Sequence, residues 1–297
     1  MLQAATASLT QCPFSTRAYL RGLSHVGEPV EHPSAPLAIL RRPIANTNLY
    51  DGAGPWPYRW MADETDADLL RDGFRDMVTL TVVTHPGWTP PAGRPEYRLL
   101  KQHYVYDSAR PAPALSRRAR MRLHRAESRG SFDVLTDAAA RLEIIPLYAA
   151  LARRRSLADG LFDLPAEHFR GIADLPHAVF YRVADGNATG AMACGVVLGE
   201  FLQILHFVTT ENGLSWNASY LLMYAMQQEA RKNGWRLLTG GMPATGSPGL
   251  HAFKSKWSNA FLPVHLLCLV NDQAAYARLA AQRAHATSYF PAYRDES

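Results

Sequence analysis

The second half of the chain contains three consecutive β-strand patterns, which read HAVFYRVADG, NATGAMACGVVLGE and FLQILHFVTTE, with tight turns at Gly186 and Gly199. Helix and strand patterns then alternate: a helix over 215–234, the strand WRLLTGG, a short helix in GSPGLHAFKSKWSN, the strand AFLPVHLLCLV and the helix QAAYARLAAQRAHA. Ser215 is expected to cap the first of these helices and Gly234 to end it. Strands separated by helices in this way predict a mixed α/β sheet.

The first half shows a similar but less regular alternation. The predicted elements are a strand over 37–43, an ordered loop over 48–60, a helix over 63–77, strands over 78–85 and 101–107, a basic helix over 114–130, a strand over 131–137 and a long helix over 138–154. The first residues are rich in glycine and proline and show no period, which predicts an irregular lead-in. We therefore expect an N-terminal arm over 1–36, a first domain over 37–135 and a second domain over 136–297.

Composition excludes several classes of protein. Hydrophobic residues make up 47% and charged residues 19% of the 297 residues, which is typical of a globular protein. The net charge of +5 favours an acidic partner such as a nucleotide or RNA. Three scattered cysteines without a C-x-x-C pair provide neither a disulfide framework nor a zinc ribbon. Since the chain shows no secretion signal and no apolar run of ~18 residues, we expect a cytoplasmic protein without a membrane span.

Four segments of the second half, ILHFVTTE, SYLLMYAMQQEARKNGW, LLTGG and GLHAFKSKWSN, resemble the GNAT acyltransferase superfamily. More narrowly, they resemble the Fem-type (FemAB- and FemX-like) peptidoglycan-bridge transferases, in which one chain holds two GNAT-like domains. LSRRARMRLHRAESRG and DGAGPWPY are weaker matches, so the similarity runs from about residue 37 to the end. It implies an α/β fold of two GNAT-like domains, each a mixed, mostly antiparallel sheet flanked by helices. It also implies amide formation, in which an amine attacks the acyl carbon of an aminoacyl-tRNA ester or an acyl thioester.

The segment ENGLSWNAS stands where acetyl-CoA-dependent relatives carry a [QR]-x-x-G-x-[GA] pyrophosphate loop. Acetyl-CoA in the usual pose is therefore not expected, although the free N–H groups of a helix beginning near Ser215 can still bind an anion. Ser219 and Tyr220 are the substrate-binding candidates in this region. No resident cofactor is predicted, since the acyl donor is a co-substrate.

Lys254 is the first catalytic candidate. The similarity to the G-L-x-x-F-K segment implies that its ammonium group stabilises the carbonyl oxygen, on which negative charge develops during attack. Phe253 would then pack beside the acyl group of the donor. The alternatives are a surface lysine on an amphipathic helix and a core phenylalanine.

Glu211 and His206 lie at or near the end of the third strand, where a GNAT-like sheet opens around its acyl donor. Either could accept the proton of the attacking amine, and His206 has the better intrinsic pKa. The alternatives are a core histidine for His206, since Leu205 and Phe207 flank it, and a solvated turn residue for Glu211.

The basic helix over 114–130, also called here the arginine helix, carries six arginines within thirteen residues, which are Arg117, Arg118, Arg120, Arg122, Arg125 and Arg129. Arg118, Arg122 and Arg125 share one helical face and are the candidates for contacts with tRNA phosphates. The alternative is a solvated face. A second run, Arg153 to Arg155, is explained by the favourable effect of cations at a helix C-terminus.

The predicted loop over 48–60, called here the aromatic loop, supplies a candidate acceptor pocket, because aromatic faces with one carboxylate suit a cationic amine. Its candidates are Asp51, Trp56 and Tyr58, and the alternative is a loop that its aromatic residues anchor. In GGMPATGSPG, Gly246 is followed by Ser247 and a proline where a phosphate-binding loop needs G-K-[ST], so nucleotide hydrolysis is not expected. The histidine spacings predict no metal site.

Together these patterns predict an amide-forming acyltransferase whose donor is aminoacyl-tRNA and whose acceptor is a small-molecule amine. One alternative is an N-acyltransferase that uses an acyl-CoA or carrier-protein thioester. Another is a catalytically silent GNAT-like module that binds RNA or a partner protein through the arginine helix. Whether Lys254 and Glu211 face a common cleft distinguishes the enzymes from the silent module.

Overall fold

The computed structural model describes residues 12–61, 66–157, 160–242, 248–282, 285 and 287–295. Its strands are β1 Glu28–Glu31, β2 Ala38–Pro43, β3 Tyr50–Ala53, β4 Thr79–Val83, β5 Tyr97–Asp107, β6 Ser131–Val134, β7 Ala178–Asp185, β8 Ala188–Leu198, β9 Phe201–Thr209, β10 Arg236–Gly241 and β11 Ala260–Val270. Its α-helices are α1 Arg17–Arg21, α2 Asp66–Gly73, α3 Arg117–Glu127, α4 Ala138–Leu142, α5 Ile144–Arg155, α6 Ala166–Ala173, α7 Glu211–Ser215, α8 Ala218–Asn233, α9 Pro248–Lys256 and α10 Gln273–Ala280. Residues 1–11 of the expected arm, and Gly246 and Ser247 of the rejected phosphate-loop motif, lie outside the described residues.

The chain folds into two compact units. Of the described residues, Lys101–Leu262 form the first, called here the central unit, while those from Cys12 to Leu100 and from Pro263 onward form the second, the terminal unit. Each contains a mixed, mostly antiparallel sheet flanked by helices, as expected. The domain ranges 37–135 and 136–297 stay a prediction. The compact units are composed differently, because the C-terminal part of β11 pairs with β4, far away in sequence.

In the terminal unit the strand order is β1-β2-β3-β4-β11, and only β3 and β4 pair in parallel. The predicted irregular lead-in contains α1 and β1, whose fold is stabilised by fully buried Leu20 and Leu23. The predicted loop over 48–60 contains β3, where Asp51 lies opposite Arg42 in the antiparallel register. Both expectations were wrong at these residues, since pairing with a neighbouring strand outweighs the glycine-rich and proline-rich local sequence.

In the central unit the strand order is β5-β10-β9-β8-β7-β6, and only β9 and β10 pair in parallel. The predicted turns join β7 to β8 and β8 to β9, with Gly186 at φ 57° and Gly199 at φ 58°. The pairing of β8 with β9 contains a register shift, since Cys194 pairs with His206 whereas Gly195 pairs with Ile204. Leu205 is therefore an extra residue in β9, as in a β-bulge.

The helix predicted over 215–234 begins later than expected. Asn217 has a left-handed backbone with φ 65°, so the segment divides into α7 and α8, and Ser215 ends the first helix instead of capping the second. Between them Trp216 is fully buried, and its ring fills the space beside Gly190, where a Cβ atom would lie 2.2 Å from it. At the other end Gly234 has φ 71° and terminates α8 as predicted.

The core of the central unit lies where α3 and α8 pack against the sheet. It includes Ala119, Leu123 and Ala126 from one face of α3. The long helix predicted over 138–154 is divided into α4 and α5 at Glu143. Within the described residues, no helix has both the length and the apolar character that a membrane crossing needs.

Candidate active site

A cavity of about 650 Å³ opens within the central unit. Parallel pairing joins residues 201–203 of β9 to 236–238 of β10, and the residues of β9 that follow form part of the cavity wall. Helices α5, α8 and α9 supply most of the rest. The lining residues are Leu151, Arg154, Arg155, Ile204, Phe207, Thr209, Leu214, Ser219, Met223, Met226, Thr239, Gly249, Leu250, Phe253 and Lys254. This volume suits a small-molecule site, whose usual range is about 300–1,000 Å³.

A bulge in β10 lies next to the side chain of Lys254, which belongs to α9 and to this wall. Leu238 pairs with Val105 and Gly241 with His103, so two residues of β10 lie opposite one residue of β5. Gly240, in the bulge, has φ 101°, and a Cβ atom there would lie 2.7 Å from Nζ of Lys254. Nζ donates a hydrogen bond to the carbonyl oxygen of Gly241 at 3.1 Å. The two glycines of LLTGG therefore provide the space and the acceptor that hold the ammonium group.

Burial, together with the positive charge of Lys101, lowers the pKa of Lys254 to about 8. The ammonium group also lies 5.8 Å from the ring centroid of Tyr104. Burial lowers the pKa of the neighbouring His103 to about 3, so this histidine is neutral at pH 7. Lys254 is therefore mainly protonated at neutral pH, but it loses its proton more readily than an ordinary lysine.

Phe253 lies beside Lys254 and contributes to the same wall, and its packing against the acyl group stays a prediction. Its ring meets those of Phe207 at 6.1 Å and Tyr220 at 5.9 Å, both edge-on. Tyr220 in turn contacts the buried Trp257 at 5.7 Å. This aromatic cluster fixes one side of the cavity.

Tyr220 is not among the described lining residues, but its ring contacts Phe253, which is one of them, and two cations donate hydrogen bonds to its phenol oxygen. Arg122 donates to this oxygen from Nη1 at 2.9 Å and Lys256 from Nζ at 2.8 Å. Burial alone would raise the pKa of Tyr220, but the hydrogen bonds from Lys256 and Arg122 outweigh it and leave the pKa below its ordinary value. Ser219, the preceding residue, does line the cavity.

The three arginines predicted to share a face of the basic helix differ in their surroundings. Arg122 is half-buried against Tyr220, whereas Arg118 and Arg125 are exposed to solvent. Sequence reasoning missed two other arginines, Arg154 and Arg155, which line the cavity at the end of α5. Arg154 is held there by donating to the carbonyl oxygen of Thr209 at 3.0 Å. The favourable effect of cations at a helix C-terminus is enough to account for these arginines, so nothing in the sequence around them predicts that they line a cavity.

His206 is buried, with 6% of its surface exposed, and does not belong to the cavity wall. Its Nε2 atom lies 2.9 Å from Nε2 of His168, and the rings of Tyr148 and Phe169 pack around it. Burial and the nearby His168 lower the pKa of His206 well below its ordinary value. These surroundings agree with the alternative of a core histidine.

Glu211 is exposed in the first turn of α7 and is not among the described residues that line the cavity, so it does not share the wall with Lys254. This placement agrees with the alternative of a solvated turn residue. By the criterion of a cleft shared by Lys254 and Glu211 it counts for the catalytically silent module, so a proposal of an enzyme has to rest on Lys254 without Glu211. Its neighbour Thr210 caps the helix by accepting from the backbone N–H of Gly213 at 2.9 Å.

The aromatic loop lies in the terminal unit. Asp51 is completely buried and is paired with Arg42 and Arg294 at 2.8 Å each. Tyr58 is 1% exposed, and Trp56 is half-buried. This arrangement agrees with the alternative in which the loop is anchored, because the Asp51 carboxylate is already neutralised. The acceptor pocket at Asp51, Trp56 and Tyr58 stays a prediction.

No protein-family model matches the chain, and no curated protein sequence matches it. Solved structures do resemble it. FemX has a TM-score of 0.57 at 12% identity, with 91% of this chain and 94% of that chain covered. The C-terminal domain of a protein from Agrobacterium fabrum, described as a lysylphosphatidylglycerol synthetase, has a TM-score of 0.57 at 14% identity and covers 89% of each chain.

A further structure, L-PGS from Bacillus licheniformis, has a TM-score of 0.55 at 10% identity, with 88% of this chain and 92% of that chain covered. The likeness therefore extends over nearly the whole of each chain. At identities this low it establishes the fold alone, an α/β fold shared with FemX, in agreement with the fold class expected from the sequence. Function has to be argued from the site itself.

Proposed function

We propose that the protein is an acyltransferase that forms an amide bond by passing an aminoacyl group from aminoacyl-tRNA to a small-molecule amine. The observation that carries this proposal is the placement of the Lys254 ammonium group in the wall of a largely apolar cavity, next to Phe253. A positioned cation in such surroundings acts more strongly on a developing negative charge than it would in water.

The proposed reaction needs little from the protein beyond positioning and charge. The amine nitrogen attacks the ester carbonyl carbon, and the carbonyl oxygen becomes an oxyanion that the Lys254 ammonium group stabilises. The intermediate collapses with formation of the C–N bond and cleavage of the C–O bond to the ribose. One proton leaves the nitrogen and one reaches the departing ribose oxygen. Neither His206 nor Glu211 has a role in this proposal, since neither lines the cavity.

One observation supports tRNA as the donor. Arg118 and Arg125 are exposed on the same face of α3, where they are available to phosphate groups. In addition, the name of one structural neighbour describes a lysyl group joined to a lipid, which supports aminoacyl transfer as the class of reaction. A cytoplasmic setting, in which charged tRNA is present, is part of the same proposal.

The test is a comparison of donors. The purified protein is incubated with total tRNA charged with labelled amino acids, or with a panel of acyl-CoAs, each with and without a mixture of small amines. We expect amine-dependent loss of label from tRNA, formation of labelled amide and no release of free thiol. Thiol release without consumption of charged tRNA would overturn the donor assignment, and no transfer from either donor would overturn the enzyme assignment.

A further inference from the structure

The cavity wall is mostly hydrocarbon. Eight of its side chains are apolar, and they come from four helices and one strand of the central unit. They are Leu151, Ile204, Phe207, Leu214, Met223, Met226, Leu250 and Phe253. The polar side chains Thr209, Ser219 and Thr239 are small and uncharged. Most of a ligand in this cavity would therefore contact carbon and sulfur atoms.

All the ionisable side chains among the described lining residues are cations. They are Lys254 on α9 and Arg154 and Arg155 on α5, and the wall described here contains no carboxylate. Arg154 and Arg155 are exposed to solvent, whereas Lys254 is half-buried, so a ligand whose positive charge lay in the apolar part of the wall would have to bury that charge without a counter-ion and close to Lys254. That arrangement costs several kcal/mol. An uncharged apolar group incurs no such cost, and each buried CH₂ group stabilises its binding by about 0.8 kcal/mol.

We infer that the acyl group accepted by this cavity has a neutral, apolar hydrocarbon part larger than the methyl group of acetyl, which lies against Met223, Met226 and Phe253 while the carbonyl oxygen points toward Lys254. Leucyl and phenylalanyl groups, whose charge is confined to the α-amino group beside the carbonyl carbon, and medium-chain fatty acyl groups belong to this class, whereas groups with a charged side chain, such as lysyl and arginyl, and the smaller acetyl group do not. The inference rests on the proposed function for the reaction in which the group takes part. The chemistry of the cavity can be tested without any turnover.

Binding is measured with straight-chain carboxylates, which resemble the acyl group and require no donor. Butanoate, hexanoate and octanoate are titrated into protein labelled with ¹³C at its methionine methyl groups, and the shifts of Met223 and Met226 are followed. We expect the affinity to rise about fourfold with each added CH₂ group, which corresponds to 0.8 kcal/mol. Met121, which is 65% exposed on α3, is the internal control and should not shift. Equal affinities for the three chains, or shifts at Met121 alone, would overturn the inference.

Charge selectivity is tested with 6-aminohexanoate, which has the length of hexanoate but ends in an ammonium group. The wild-type protein should bind it at least tenfold more weakly than hexanoate, and equal binding would overturn the inference. In Leu250→Asp the preference should be reduced or reversed, because a carboxylate now faces the cavity. Leu250 is 45% exposed, so the substitution leaves the core intact.

The outcomes separate this inference from the proposed function. Chain-length-dependent binding without transfer from charged tRNA or thioesters would leave the cavity chemistry standing and overturn the function. Transfer that proceeds as fast with lysyl as with leucyl donors would leave the function standing and overturn the inference.

Discussion

Nη1 of Arg122 on α3 donates a hydrogen bond to the phenol oxygen of Tyr220 on α8 at 2.9 Å. The guanidinium group also lies 5.6 Å from the centroid of the Tyr220 ring. Lys256 on α9 donates to the same oxygen at 2.8 Å, so one phenol connects three helices. Since the ring of Tyr220 also contacts Phe253 in the cavity wall, the arginine helix is connected to the candidate site through one side chain.

Replacing Tyr220 by phenylalanine removes the shared acceptor and leaves two half-buried cations without it. We expect Tyr220→Phe to lower the free energy of unfolding by about 1–3 kcal/mol, the usual cost when a buried hydrogen-bonding group loses its partner. Urea unfolding measures this change. Tyr289→Phe is the control, because Tyr289 is 54% exposed and should change stability by less than about 0.5 kcal/mol. Equal effects of the two substitutions would contradict the connecting role of Tyr220.

Gly240 tests how Lys254 is positioned. A Cβ atom at Gly240 would lie 2.7 Å from Nζ of Lys254, so Gly240→Ala should displace the ammonium group. We expect kcat/KM to fall by roughly tenfold to a hundredfold, since a misplacement of ~1 Å can cost a factor of ~10². Gly199→Ala is the matched control, because Gly199 also has a positive φ but has no atom within 4 Å of such a Cβ. If the control loses as much activity, backbone strain alone explains the loss.

The lowered pKa of Lys254 should make the free energy of unfolding depend on pH. Because burial lowers its pKa to about 8 from the ordinary value of 10.5, the unfolded chain binds a proton between these pH values that the folded chain does not. Stability therefore rises with pH across this window, and the buried ammonium group destabilises the fold at pH 7.

We thus expect Lys254→Met to be more stable than the wild type at pH 7 and to lose part of the rise between pH 8 and 10.5. Unfolding by urea at several pH values measures both effects. Lys232→Met serves as the control, since Lys232 is exposed and its pair with Glu229 is a surface contact. A Lys254→Met variant that is less stable at pH 7 would contradict the lowered pKa.

The arginine helix predicts a dependence of tRNA binding on salt. Each phosphate neutralised by an arginine releases counterions, so removing that arginine should reduce the log-log slope of affinity against salt by roughly one unit or slightly less. We expect Arg118→Ala/Arg125→Ala to bind tRNA more weakly and with a smaller slope. This pair leaves Arg122 and its bond to Tyr220 in place. Arg117→Ala is the matched control on another face of α3, and slopes parallel to the wild type in the double variant would mean that this face is only solvated.

The parts of the fold that could be predicted from the sequence depend on local signals. Gly186 and Gly199 mark turns that require positive φ, and Gly234 marks the end of α8. The G-L-x-x-F-K segment made Lys254 and Phe253 candidates, and both line the cavity, while their catalytic and binding roles stay predictions. These residues were predictable because the pattern that reveals each one lies within a few positions of it.

The remaining features depend on contacts between distant segments. The sequence leaves open whether His206 is a base or a core residue, because its partner His168 lies 38 positions away. Arg154 and Arg155 were explained by the helix dipole alone, and only the tertiary fold brings the end of α5 to the cavity. The division of the helix at Asn217 follows from the burial of Trp216 against Gly190, which no helical period reveals.

Amine-dependent transfer from charged tRNA, measured as kcat/KM across pH for the wild type, Lys254→Ala and Lys254→Arg, tests the role of Lys254 most directly. We expect Lys254→Ala to lose a factor of about 10² or more, comparable to the loss of one oxyanion donor, while its unfolding stays cooperative. The wild-type rate should fall above pH 8, where Lys254 loses its proton, and Lys254→Arg should retain its lower rate through that range. Near-normal turnover in Lys254→Ala would contradict the assignment. So would the same decline in rate above pH 8 in the wild type and in Lys254→Arg.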